Sequence, residues 1–551
     1  MHIQPVRSLL ASAFLMLTAC GSALSVSPSS TPTVGFSTQQ SALQVAQEPC
    51  GFRFSRTDLP HYTSGGATGS ALYASNGSGL AVGDLTGDGL PDLVFGNIVG
   101  TVTVYVNEGN FVFTSIPTTL TDVRSLAIVD ADGDGTRELY ATRRFAPPIV
   151  GKLSDVGFSY EPIPAVFSAF YTMGWQDLDR DGVLDVVFGT YDNEQLQQQG
   201  LIFNTRGGGG VFVYTQTETG FTPQRLNDSA QALAIAFPDL DHDGRPDLLV
   251  GNDFNEPDAA WTISDAGYTA VAPFTQTTEN TMSLDYADYN NDGVLDIYAT
   301  DMKPYDQSVT TMARWLPAML KLTRPLTADD PQYTENTLHT WDGTRWRNRA
   351  YELQLDASGW SWSAKFADLD NNGWQDLYVV NGMKATDLLS YLPDNELSED
   401  DMLFVTDDSM RYVLIDNGIS HTGSGRAATM ADLDNDGDLD VVVNPIDGYA
   451  QLYRNELCQT HSIAVTLVDP TSANRDAVGA VVTVVANQQL LTRSIQVTSG
   501  YLSGQPTTAH FGLGDTQRVE RLVVTWPDGS LSELKDLASN MHYTITRKEA
   551  P

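Results

Sequence analysis

The sequence predicts an all-β protein, a seven-bladed β-propeller followed by a small C-terminal β-sandwich-like domain. Three observations carry that expectation. A nine-residue pattern, D-x-D-x-D-G-x-x-D, recurs seven times along the 551 residues. Runs rich in β-branched and aromatic residues follow the copies, such as LVFGN, VVFGT and LLVGN, a strand composition. The copies open 46, 47, 62, 49, 80 and 64 residues apart, the periodicity of propeller blades or another repeat array.

The copies read DLTGDGLPD, DADGDGTRE, DLDRDGVLD, DLDHDGRPD, DYNNDGVLD, DLDNNGWQD and DLDNDGDLD. Oxygen-bearing side chains at alternate positions, with Gly at the sixth, let a tight loop wrap a hard cation such as Ca2+. An EF-hand would begin this way too, but it closes on a bidentate Glu at position twelve between two helices. Position twelve here is Phe95, Ala141, Phe188, Val250, Ala299, Val379 or Val443. The closing carboxylate comes at position nine instead, and apolar stretches such as GLAVGD, SLAIVD and ALAIAFPD lead in. Each loop therefore reads as the turn of a β-hairpin.

These loops resemble the calcium-binding FG-GAP or VCBS repeats of integrin-type propellers, with Phe95-Gly96, Phe188-Gly189 and Val250-Gly251 at the FG positions. The resemblance implies side-chain ligands at positions one, three, five and nine, a backbone carbonyl at seven, and up to seven Ca2+. In the first loop these are Asp84, Thr86, Asp88 and Asp92 with the carbonyl of Leu90, and in the second Asp130, Asp132, Asp134 and Glu138 with Thr136. The third has Asp177, Asp179, Asp181 and Asp185 with Val183, and the fourth Asp239, Asp241, Asp243 and Asp247 with Arg245. The fifth has Asp288, Asn290, Asp292 and Asp296 with Val294, and the sixth Asp368, Asp370, Asn372 and Asp376 with Trp374. The seventh has Asp432, Asp434, Asp436 and Asp440 with Asp438. Thr86, Asn290 and Asn372 replace a carboxylate with a neutral oxygen, so loops one, five and six are expected to bind most weakly. Seven copies imply seven blades across residues 50–458, although the longer gaps leave room for a blade without a motif.

Residues 459–549 carry a second resemblance. NRDAVGAVVTV (Asn474–Val484), SGYLSGQ (Ser499–Gln505), HFGLG (His510–Gly514) and VTWPDG (Val524–Gly529) are similar to the ASPIC/UnbV domain. A propeller followed by that domain is the arrangement of the cartilage acidic protein family and its bacterial relatives. The pairing implies an architecture and leaves activity open. Trp526 is expected in this domain's core, and His510 in a structural role.

The N-terminus reads as an export signal over residues 1–19, with Arg7 ahead of the apolar run LLASAFLML, too short to span a membrane. Leu17-Thr18-Ala19-Cys20 resembles the bacterial lipobox, which implies acylation of Cys20; an ordinary signal peptide is the alternative. Residues 20–49, rich in Ser, Thr, Pro and Gln, read as a disordered tether. No later stretch reads as a transmembrane helix. The expected address is the cell envelope, surface-exposed or periplasmic, with membrane contact through the lipid alone. Cys50 and Cys458 then flank the propeller. A ring made from one chain must close its ends in one blade, and a Cys50–Cys458 disulfide would latch that closure, although two unpaired thiols remain an alternative.

Net charge is −38, and about a third of the 69 acidic residues lie in the seven loops. So acidic a chain is unsuited to nucleic acid or a bare anionic membrane, both bound through basic surfaces. The widest interval, residues 301–358, reads as an insertion, with helical apolar spacing in Gln307–Leu322 around Pro317. Its Trp315, Trp341, Trp346, Arg345 and Arg347 either bind a partner or pack the insertion onto the blades. Trp360 and Trp362 share one strand face and are expected to pack between blades.

No catalytic constellation is legible. His2, His61, His242, His339, His421, His461, His510 and His542 form no zinc pattern, and there is no GxSxG elbow or P-loop. His242 is expected to point outward from its loop. The expected role is recognition or adhesion, with an extracellular polysaccharide or surface protein as partner. A calcium-assisted polysaccharide lyase or hydrolase and a structural envelope component are the alternatives.

Overall fold

The computed structural model describes residues 32–45, 51–65, 72–154, 157–197, 209–217, 220–254, 256–322, 330–458 and 460–548. The protein is all-β, with short helices only in connections. Seven sheets share one plan: four strands in meander order, with a D-x-D loop joining the first strand to the second. Sheet one, for example, comprises Leu80–Gly83, Asp92–Phe95, Thr101–Asn107 and Phe113–Thr121. The first strands of sheets two to seven are Val123–Val129, Thr172–Gln176, Ala232–Ala236, Leu284–Ala287, Gly359–Ala367 and Ala427–Ala431, buried throughout. Each packs against the first strand of the next sheet, and the seventh packs against the first, so the sheets close into a ring. Both faces of these strands are covered, which is why they read as continuous apolar runs rather than alternating ones.

Closure follows the expected single-chain logic. The fourth strand of sheet seven is Phe54–Thr63, from the start of the chain. It pairs antiparallel with Gly448–Asn455 from Phe54–Asn455 to Thr63–Gly448. Just outside that pairing, Gly51 N donates to Glu456 O at 3.2 Å and Glu456 N to Arg53 O at 2.9 Å. The proposed disulfide falls beside these contacts, but Cys50 lies outside the described residues, as do Cys20 and the signal segment. No described helix is long and apolar enough to cross a membrane.

The C-terminal domain has two four-stranded sheets around one core that includes Ile463, Val482, Phe511, Leu522, Trp526 and Ile545. Trp526 is buried as expected, its Nε1 donating to Ser532 Oγ at 3.0 Å. One edge strand corrects the tether expected over residues 20–49. Phe36–Ala42 pairs antiparallel with Met541–Arg547, from Phe36–Arg547 to Ala42–Met541. Edge pairing needs only main-chain hydrogen bonds on one side, and Val34 and Phe36 pack on the domain core, so a polar composition suffices.

A second correction concerns the insertion. Thr337–Trp341 and Trp346–Asn348 are the third and fourth strands of sheet five. The true insertion ends before residue 337 and contains the helix Val309–Leu322 with Pro317 inside. Trp315 and Trp346 do pack the segment down: Trp315 sits 5.7 Å from Trp360 between ring centroids, and Trp346 Nε1 donates to Leu240 O at 2.9 Å. Trp362 is buried with its Nε1 on Gly382 O at 2.8 Å.

Candidate metal centres

Each loop is shaped by backbone amides donating to its own carboxylates. The first Asp receives the sixth-position Gly amide in every loop: Gly89 N to Asp84 at 3.0 Å, Gly135 N to Asp130 at 2.9 Å and Gly182 N to Asp177 at 3.1 Å. Gly244, Gly293, Gly373 and Gly437 repeat the bond to Asp239, Asp288, Asp368 and Asp432 at 2.8–3.0 Å. These glycines have φ between +83° and +91°, a region a side chain strains to enter. The ninth-position Asp anchors the loop to its sheet: Asp185 takes Leu178 N at 3.2 Å and Gln216 N at 2.9 Å. Asp92, Asp247, Asp376 and Asp440 do the same with Leu85 and Asn107, Leu240 and Ile263, Leu369 and Thr406, and Leu433 and Asn455.

In five of the seven loops, three of the carboxylates that the resemblance implies come together. Carboxylate oxygens lie within 4.8 Å of one another in Asp130/Asp132/Glu138, Asp177/Asp179/Asp181, Asp239/Asp241/Asp247, Asp368/Asp370/Asp376 and Asp432/Asp434/Asp440. Loops one and five, with Thr86 and Asn290 at position three, form no such triple among the described residues. Loop six does, despite Asn372, because its three acids stand at positions one, three and nine. Burial, reinforced by neighbouring carboxylates, pushes these acids upward: Asp177 to about 6, Asp247 and Asp368 to about 7, and Asp185 to about 8. Asp296, Asp376 and Asp440 are held well above the usual range for the same reasons. Converging acceptors that repel one another fit a hard divalent cation bound through oxygen. Loops two and seven carry cations of their own. Lys152 Nζ lies 2.9 Å from Glu138 and 3.7 Å from Asp132, and Arg454 Nη2 lies 2.6 Å from Asp434.

Position four was not singled out in the sequence, yet it is left-handed in all seven loops. Gly87, Gly133, Arg180, His242, Asn291, Asn371 and Asn435 have φ between +56° and +78°. In loops three, five and six the side chain at this position reaches the next loop. Arg180 Nη2 donates to Gly244 O at 2.5 Å, Asn291 Nδ2 to Gly373 O at 3.0 Å, and Asn371 Nδ2 to Gly437 O at 3.0 Å. The same geometry corrects the outward-pointing His242, whose ring lies on Trp341 and Trp346 at centroid distances of 4.1 and 5.2 Å. Asn at position four in loops five to seven was the available signal, since Asn tolerates the left-handed region.

The end of the ring bearing these loops is covered by the C-terminal domain. Asn474 N and Ser472 Oγ donate to Gly182 O at 2.8 and 2.6 Å. Arg137 of loop two pairs with both oxygens of Asp476 at 2.6 and 2.9 Å. Ser462 Oγ and His510 Nε2 meet Gly437 O at 2.6 and 3.2 Å, and Gly514 N meets Asn371 O at 2.7 Å. From the same domain, the SGYLSGQ hairpin enters the ring. Gly504 pairs with Ala81 of sheet one, Leu502 O accepts from Leu126 N at 3.4 Å, and Gly500 N donates to Leu284 O at 2.8 Å. Tyr501, fully buried, shares a hydrogen bond with Tyr171 Oη at 2.9 Å and donates to Asn76 O at 2.8 Å. Residues 498–504 touch the first strand of all seven sheets.

The domain and the loops agree with two family models. Residues 470–551 match the ASPIC and UnbV model, and residues 62–141, 177–250 and 239–299 match the FG-GAP-like repeat model. No curated protein matches the chain. Among solved structures, BBS1N in complex with ARL6DN is similar at 10% identity. The mercury-soaked crystal covers 78% of this chain and all of the other with a TM-score of 0.37. The lead-soaked crystal covers 73% and 96% with a TM-score of 0.40. Likeness this loose bears on neither function nor partner. The FG-GAP-like matches span loops one to five and the other match spans the last domain, so this chain is an FG-GAP-like repeat protein with a C-terminal ASPIC and UnbV domain.

Proposed function

We propose that the chain is a calcium-loaded, seven-bladed propeller capped by a β-sandwich-like domain, exported and tethered by lipid on Cys20, and that it acts as a recognition module for an extracellular polysaccharide or surface protein. The observation that carries this reading is the placement of the loops. They recur once per sheet, and loops two, three, six and seven bond to the C-terminal domain, so their cations serve to set loops and dock that domain. The opposite end of the ring is left for a partner. There the insertion helix turns Val309, Met312, Leu316 and Leu320 to solvent while Trp315 and Ala318 are buried. A rigid scaffold presenting an inserted element suits capture rather than chemistry.

The test uses the chain from residue 32 onward, folded in calcium and compared in chelator. It is incubated with envelope and extracellular polysaccharides and with envelope proteins, and both co-sedimentation and new reducing or unsaturated ends are scored. Calcium-dependent capture without new ends is the expected result. New chain ends accumulating with time would replace recognition by a lyase or hydrolase.

A further inference from the structure

At the end of the ring away from the C-terminal domain, the insertion helix Val309–Leu322 and sheet six border an open groove of about 620 Å³. Trp315, Leu397, Met402, Leu414 and Ile415 give it apolar walls. Five carboxyl groups line it against one cation, Arg314. Those of Asp306, Asp400 and Asp416 stand exposed. Among the described residues they form no converging triple like those of the metal loops. The groove therefore does not wrap a single ion as a loop does. Apolar walls with separated carboxylates suit a lysine or arginine side chain, whose stem lies on apolar surface while its charged end meets an acid.

The helix that forms one wall narrows the source of such side chains, because it is apolar on two faces. Trp315 and Ala318 are buried on one. Val309, Met312, Leu316 and Leu320 recur at intervals of three and four residues, which aligns them on another. Val309 is 87% exposed, Leu316 52% and Leu320 71%. At 1.5 Å per residue the stripe runs about 16 Å. Single apolar residues are common on a surface, whereas an aligned stripe marks a contact with protein or lipid. Its aliphatic side chains offer a polysaccharide neither a flat ring to stack on nor a hydrogen-bonding group. A bilayer with anionic head groups is repelled by the acids of the groove and by the net charge of −38. A polypeptide carrying both apolar and basic side chains satisfies stripe and groove together.

We propose that this end of the ring docks a protein partner through a basic amphipathic segment. Its apolar side chains lie on Val309, Met312, Leu316 and Leu320, and its Lys or Arg side chains enter the groove beside Asp306, Asp400 and Asp416. The proposal deepens the recognition reading and rests on it, choosing protein over polysaccharide. The probe is a synthetic peptide of about eighteen residues, five helical turns, with Leu and Lys in amphipathic order. It is titrated into the full chain in calcium by calorimetry, beside a Leu/Glu peptide and a Ser/Lys peptide of the same length. The Leu/Lys peptide should bind once per chain, at least about tenfold tighter than either counterpart. Hydrogen exchange on the unaltered protein should slow at residues 309–320 and 413–416. Leu316→Asn, and Asp400→Asn combined with Asp416→Asn, should each weaken binding at least about tenfold. All three side chains are exposed, so the melting temperature should stay within about 2 °C. Glu520→Gln, which removes an exposed charge from the C-terminal domain, should leave binding unchanged. Equal binding of the Leu/Glu peptide, or Leu/Lys binding that survives both variants, overturns the assignment. So does a dimer in sedimentation that Leu316→Asn dissociates, which gives the stripe to a second copy. Binding to phosphatidylcholine vesicles that Leu316→Asn abolishes gives it to lipid and overturns the proposal equally. Polysaccharide co-sedimentation run beside the titration separates the two failures. Polysaccharide captured by the chain and by every variant, with no peptide binding, removes this docking surface and leaves recognition standing; capture of no polysaccharide, envelope protein or peptide removes both.

Discussion

A single backbone conformation links the loops to one another. At position four, Asn371 holds φ at +59° and reaches both Gly437 O and, at 3.2 Å, Thr460 Oγ1. Asn371→Gly keeps the left-handed backbone and loses the bridge, so it should cost about 1 kcal/mol. Asn371→Ala loses the bridge and adds strain, and should cost about 2–3 kcal/mol; urea unfolding at fixed calcium measures both. The ligand carboxylates give a pH dependence. Burial first, then Asp179 and Asp177, lift Asp185 to about 8, while burial lifts Asp247 to about 7 and Asp92 to about 6. A carboxyl raised on folding stabilises the fold fully below its unfolded value near 4 and ceases to do so as pH rises through the folded value. In chelator, the melting temperature should therefore fall between pH 5 and pH 8, by on the order of 5 °C. Calcium supplies the opposing charge and should flatten that slope; an unchanged slope in calcium would argue that the loops hold no ion.

At the scale of elements, the hairpins were legible because position nine closes each loop and β-branched runs follow. The strand at Phe36–Ala42 was not, because an edge strand takes its hydrogen bonds from a partner five hundred residues away and needs little apolar patterning. The SGYLSGQ segment was legible only as a resemblance. Its two glycines and central Tyr501 make sense once it stands inside the ring, where Gly504 must approach Ala81 closely: a Cβ there would lie 2.9 Å from the Ala81 Cβ. Tyr501 fills that space, 5.2 Å from the Trp362 ring, and its hydroxyl joins Tyr171 to Asn76. Tyr501→Phe should cost about 1–2 kcal/mol, since it leaves a buried tyrosine hydroxyl and a carbonyl short of a partner. Tyr501→Ala should cost about 3–5 kcal/mol through the cavity it opens. Equal losses for the two substitutions would mean the ring adds nothing by filling the channel.

At the scale of the whole molecule, loops two, three, six and seven, which read as independent metal sites, form the floor on which a second domain rests. Sequence spacing located every loop, but it held no sign of this, because the contacts join residues such as Arg137 and Asp476 that are far apart in the chain. The docking contacts fall on loop atoms whose position depends on loop closure: the carbonyls of Gly182 and Gly437 and the guanidinium of Arg137, which pairs with Asp476. Without an ion, loops two, three, four, six and seven each hold three carboxylates within 4.8 Å, and their repulsion favours an opened loop. Removing calcium should therefore loosen the domain before it melts the sheets, whose cores are apolar. Hydrogen exchange in chelator should rise first at residues 472–476 and 498–514 and in the seven loops. The second strands of the sheets should remain protected until much higher denaturant. Arg137→Ala in calcium should reproduce the effect at residues 472–476 and reach no farther than loop one, because besides its pair with Asp476 it gives up only an ion pair with Asp84 at 3.6 Å. Simultaneous exchange of ring and domain on chelation would instead mean that calcium holds the sheets themselves together.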